Sequence, residues 1–123
     1  DALVQFNEYE VENEMMRQAS VYSYYYGLMG MAKKMVNERS LQLTRFMSKL
    51  RKEAKSSSSV NLTAKDLDDF VESTEEFSQY SKEVNNASFK YTLLKGLVSS
   101  LEHKKDMLVQ LSSNRRAETN LYR

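Results

Sequence analysis

Cysteine, proline and tryptophan are all absent from this 123-residue chain. Without cysteine there is no disulfide framework and no thiolate metal site, a composition suited to a reducing compartment. Without proline nothing forbids long helices. The one histidine, His103, has no second His or Cys to work with. It stands beside Lys104 and Lys105 and reads as a solvated residue. No phosphate-cradling glycine loop occurs. Asp66, Asp68 and Asp69 crowd a helix start, where the helix dipole accounts for acids. Glu8, Glu10, Glu12 and Glu14 alternate in a way that scatters carboxylates around a helix. The chain is therefore expected to be no enzyme and to carry no cofactor and no metal. No apolar run is long enough to cross a bilayer, and no signal-peptide pattern is present. The chain opens on Asp1 rather than Met, as a trimmed or partly missing N-terminus would.

What is present is a long apolar stripe. Met15, Ala19, Tyr22, Tyr26, Met29, Val36, Leu43, Met47, Leu50 and Ala54 recur in steps of four and three, broken only by Lys33 and Ser40. The average of three and a half is the period of a coiled-coil seam. A helix over 8–55, capped near Asn7, would be about 70 Å long. Such a rod demands a partner helix, from this chain or from another copy. Mean hydropathy is −0.65 and apolar residues make up 41%, low for a compact globule and suited to a charge-coated helical assembly.

Ser56 to Ser59 form a solvated break. Thr63 and Asp66 sit at capping-box spacing and predict a short helix over 64–72, with Leu67, Phe70 and Val71 on its apolar face. Ser73 with Glu76 predicts a second start and a helix over 74–112. Its stripe is Phe77, Tyr80, Val84, Ala87, Tyr91, Leu94, Val98, Leu101 and Leu108. Residues 113–123 read as a basic, frayed tail. The expected fold is all-α: one domain, a long antiparallel helical hairpin with a short intervening helix, assembling as a coiled-coil-like oligomer.

Charge supports the hairpin. Net charge is only +1, but residues 1–32 carry −4, 33–55 carry +6, 56–88 carry −5 and 89–123 carry +4. Folding near residue 60 lays basic on acidic along both halves, and opposite flanking charge selects register in antiparallel pairs. A single partner helix leaves bare the apolar residues beside the seam. Val21, Tyr25, Leu28, Ala32 and Met35 are therefore the candidate oligomer interface.

The basic block is the leading functional candidate. Arg45, Lys49, Lys52 and Lys55 share one helix face, with Arg51 off it. Clustered cations bind phosphate backbones by releasing counterions. The competing reading is that the block only neutralises the acidic helix opposite. Among Tyr22, Tyr24, Tyr25 and Tyr26, the first and last lie on the stripe. Tyr24 faces away from it and is the better exposed contact, since aromatic faces stack on unpaired bases. Mid-helix Gly27 and Gly30 cost about 1 kcal/mol each against alanine, which a close helix crossing would explain.

Val21-Tyr22-Ser23, then Lys33-Lys34, then Ser48-Lys49-Leu50-Arg51-Lys52 resemble the first half of the UvsY-like phage recombination mediators. The second half is similar too: Gly96 within an apolar helix, Lys104 and Lys105 beyond it, the His103 to Val109 segment, and Arg115-Arg116-Ala117-Glu118. The resemblance spans about residues 19–118 with gaps in the middle. It implies a helical homo-oligomer, as a ring, that binds single-stranded DNA and helps a RecA-like recombinase displace single-strand DNA-binding protein. The family's late basic run maps onto Arg45, Lys49, Arg51 and Lys52, though not in identical register. Lys55, Lys104, Lys105, Arg115 and Arg116 complete the candidate nucleic-acid-binding set. A phage origin would place the protein in the host bacterial cytoplasm.

Two rival readings stand beside it. A coiled-coil virion component or secretion-type hairpin would act as an adaptor without nucleic acid; the secreted hairpins with a Trp-x-Gly turn are disfavoured by the missing Trp. A basic amphipathic helix docking on membranes is weakened by Glu38 and Glu53 and by a seam that needs burial, so no membrane partner is expected.

Overall fold

A computed structural model describes the backbone of residues 2–121 and the side chains of residues 9–121. Three helices follow in order: α1 (Ala2–Ser57), α2 (Ala64–Glu72) and α3 (Glu75–Leu121). The long helices α1 and α3 pack as a helical hairpin with α2 between them, and no strand occurs among the described residues. α1 begins at Ala2 rather than at residue 8, because residues 2–7 hold no breaker, and Asn7 falls inside the helix. The side chains of Asn7 and Glu8, expected at its start, lie outside the described residues.

The serine run ends α1 as a solvated break should. The Ser57 hydroxyl donates to the Glu53 carbonyl at 2.7 Å and that of Ser56 to the same oxygen at 3.1 Å, so side chains compete with the helix for its last acceptors. α2 then starts on a full capping box. The Asp66 amide donates to Thr63 Oγ1 at 3.1 Å and the Thr63 amide to Asp66 Oδ2 at 3.2 Å. At the next junction the cap differs from expectation by one residue. Thr74, not Ser73, accepts from the Phe77 amide, at 3.2 Å. The Ser73 amide and hydroxyl are spent closing α2, on the carbonyls of Asp69 and Phe70.

Contacts divide the molecule into two compact units, one joining the segment up to Gly30 to that from Leu93 onward, the other spanning Met31–Thr92. The single domain expected from the sequence thus has two centres of packing. In the second unit α2 docks through Leu67 and the fully buried Val71, with Ala87 of α3 also buried. Phe70, expected on the same face, stays half exposed. Phe46 and Tyr80 meet with ring centroids 5.0 Å apart, and Lys33 Nζ lies 5.0 Å from the centre of the Tyr91 ring.

In the first unit the seam is not the row of greatest hydropathy. Val11, Glu14, Gln18, Val21, Tyr25 and Leu28 are buried or half-buried in steps of three and four, whereas Ala19 and Tyr26 are exposed. Met15, Tyr22 and Met29 of the expected stripe are half-buried, as Val21, Tyr25 and Leu28 are. Two neighbouring rows on α1 both repeat at coiled-coil spacing, and the one that faces α3 contains a carboxylate and an amide. Glu14 is held below the usual carboxylate range by Arg17 and Gln18, with Lys104 adding to both. Gln18 is 7% exposed, and its Nε2 donates to Glu14 at 3.1 Å. On α3 the row continues past residue 112 through Ser112, Arg115 and Thr119. The expected frayed tail is therefore helical as far as Leu121, because polar residues carry the seam where apolar ones run out.

At the seam's edge the Tyr22 hydroxyl donates to Glu102 Oε1 at 2.8 Å. That bond to a carboxylate raises the Tyr22 pKa above its ordinary value, since ionisation would discard the donor. The resulting stabilisation is fully present below the unfolded tyrosine value near 10 and is lost as pH rises through the higher folded value. Absorbance titration should show one tyrosine ionising late, and Glu102→Gln should bring it back toward the others. Val71→Ala should cost about 2 kcal/mol by opening a cavity beneath α2, read as a lower denaturation midpoint with faster amide exchange in residues 64–72.

Candidate nucleic-acid interface

The basic block of α1 divides into two sets with different partners. Arg39 reaches Glu83 of α3 at 3.5 Å, and Arg51 reaches Asp68 of α2 at 2.5 Å. These are the residues whose helical position turns them toward the acidic elements. Arg45, Lys49, Lys52 and Lys55 are exposed and make no ion pair among the described residues. Neutralisation by the facing helix thus accounts for part of the block and leaves four cations on one solvent-facing row.

Arg51, of the expected DNA-contacting set, is the member on α1 that the structure pairs with an acid. Its guanidinium fixes α2 against α1, and its Nε is buried. Beside the four free cations runs an open groove of about 440 Å³ lined by Gln42, Arg45, Phe46, Lys49, Leu50, Glu53, Glu76 and Tyr80. It brings an aromatic pair within reach of two cations. Phe46 follows Arg45 in sequence, but Tyr80 comes from α3, so the groove is invisible until the hairpin closes. Glu53 and Glu76 limit its positive character.

The four candidates on α3 are placed differently. Lys104 Nζ pairs with Glu14 at 3.4 Å, and Lys105 sits 6.0 Å from the centre of the Tyr22 ring. Arg115 is half-buried in the seam, and Arg116 donates to Ser112 Oγ at 3.3 Å. Lys104 and Lys105 are engaged inside the first unit; of the two arginines expected in a basic tail over 113–123, Arg116 bonds along its own helix and the buried Nε of Arg115 has no partner.

The expected oligomer residues are also redistributed. Val21, Tyr25, Leu28 and Ala32 are half-buried within the hairpin, and Met35 remains exposed. Gly27 and Gly30 have only open space where a Cβ would stand. No close crossing within the hairpin explains them, because both face away from α3. Tyr24 is exposed as expected and meets Tyr25 edge-on, with centroids 5.2 Å apart. His103 is exposed, and no cluster of three metal-ligating side chains exists among the described residues. No helix is long and apolar enough to cross a membrane among the described residues. No protein-family model matches the chain, and neither a curated protein nor a solved structure is similar to it.

The division of the block is directly measurable. Arg51→Ala should lower stability by at most about 1 kcal/mol, since the pair with Asp68 is partly solvated. Lys49→Ala and Lys52→Ala should each stay within about 0.5 kcal/mol of the parent. Urea denaturation of the three variants decides it.

Proposed function

We propose that this chain is a non-enzymatic mediator that binds single-stranded DNA, and that it belongs with the UvsY-like recombination mediators it resembles. The observation that carries the reading is the row of four exposed, unpaired cations on α1, left over after Arg39 and Arg51 have answered the acidic elements. Such a row follows a phosphate backbone. The adjoining Phe46–Tyr80 pair offers aromatic surface to a splayed base, a combination used by sequence-tolerant single-strand binders. One row is a weak site. In a homo-oligomer, as a ring of protomers, many rows act on one strand and their contacts sum by multivalency. Bending the strand across them would loosen single-strand DNA-binding protein and hand the strand to a RecA-like recombinase, in a bacterial cytoplasm. The role of adaptor without nucleic acid draws its support from the large apolar side chains left exposed on both long helices.

Four phosphate contacts on a single strand predict a log–log salt slope of about −3. Binding of a labelled oligonucleotide, followed by anisotropy at several salt concentrations, should show it. Lys49→Gln with Lys52→Gln should flatten the slope by about 1.4 and leave helical content unchanged. An oligomer indifferent to both DNA and salt would establish the adaptor role instead.

A further inference from the structure

α3 carries a second apolar row that the hairpin does not use. Leu94, Val98, Leu101 and Leu108 face α1, but Leu93, Leu97, Ser100, Lys104, Met107 and Leu111 repeat in steps of four and three on a neighbouring face. Its four apolar members are 58%, 39%, 71% and 41% exposed, in that order. Its one charged member, Lys104, is paired with Glu14. Beside the row stand Gly96, His103 and Gln110, seven residues apart, and a Cβ on Gly96 would meet nothing within 4 Å. The strip thus has coiled-coil periodicity, low charge and no partner within its unit.

We propose that this row is the surface on which a second copy of the chain docks, antiparallel, about a two-fold axis level with Glu102. The row is its own complement in that direction. Reversed on itself about residue 102, it sets Leu93 against Leu111 of the second copy, Leu97 against Met107, and Ser100 against Lys104. Every apolar position meets an apolar one, and the lysine meets a small hydroxyl. The neighbouring registers fail. One heptad one way puts Leu93 on Lys104 and turns Met107 and Leu111 onto Lys90 and Asn86. One heptad the other way puts Leu93 on Glu118 and Leu97 on Asn114. A parallel copy would stack Lys104 on Lys104, a like-charge contact at a core position. An isologous interface requires this self-complementarity, and an unrelated partner would have no reason to find it. The contact spans fewer than three heptads. A contact so short makes a weak dimer that dissociates on dilution.

The pairing does not rest on DNA binding and is tested without nucleic acid. Sedimentation equilibrium from micromolar to sub-millimolar protein should show the mass rising from 14.3 kDa to twice that value, the pair being the first step toward the ring. A monomer throughout that range overturns the proposal. Leu97→Glu with Met107→Glu should remain helical by circular dichroism and stay monomeric at every concentration, whereas a persisting dimer overturns it. Ala19→Glu, on the exposed side of α1, should dimerise as the parent does; loss of the dimer there would move the interface to α1. Because the chain has no cysteine, Leu93→Cys and Leu111→Cys report register with a short bis-maleimide. Neither should cross-link alone and an equimolar mixture should. Cross-linking of Leu93→Cys by itself overturns the antiparallel arrangement.

Discussion

Two helices can cover only one narrow stripe of each other, and almost everything else about this protein follows from that limit. A stripe holds a few side chains per turn, so long helices must leave much of their apolar complement in water. Among the described residues only Val11, Leu67, Val71, Ala87 and Val98 are buried apolar side chains. Three of them lie where α2 adds a third element to the second unit. There the packing is three-sided, Val71 is fully enclosed, and Arg51 is drawn in to close the corner. Where only two helices meet, polar groups enter the seam and apolar ones, including Leu93, Leu97 and Met107, stay outside it.

The same limit sorts the charges. A helix opposite an acidic partner can offer it only those cations that point inward, so Arg39 and Arg51 are consumed while the outward row is not. Block charge along the sequence therefore serves two ends at once. It sets the antiparallel register through the inward minority and leaves a coherent positive row outside.

Much of the fold was legible from local signals that no tertiary contact could override. The serine run, the Thr63–Asp66 box and the missing proline mark the hairpin and bound α2 at its observed limits. What escaped depended on the partner helix. Hydropathy favours the row through Ala19 and Tyr26, yet the seam also takes in Glu14 and Gln18, where Arg17, Lys104 and the Gln18 amide nitrogen answer the Glu14 carboxylate and the buried Gln18 carbonyl stays unpartnered. The same blindness ended α3 too early, since Ser112, Arg115 and Thr119 carry no apolar signal. Arg51 and Arg45 look alike in sequence; only the position of Asp68 separates a fastening from a free cation.

The polar stretch of the first unit's seam has a mechanical consequence. The hydrogen bonds and ion pairs of Glu14, Gln18 and Lys104 are interleaved there with the apolar side chains of Val11, Val98, Leu101 and Leu108. Adhesion within this unit is thus of two kinds, one oily and one electrolyte-sensitive. Acid, by protonating Glu14, and salt, by screening its pair with Lys104, weaken the second kind and leave the first in place.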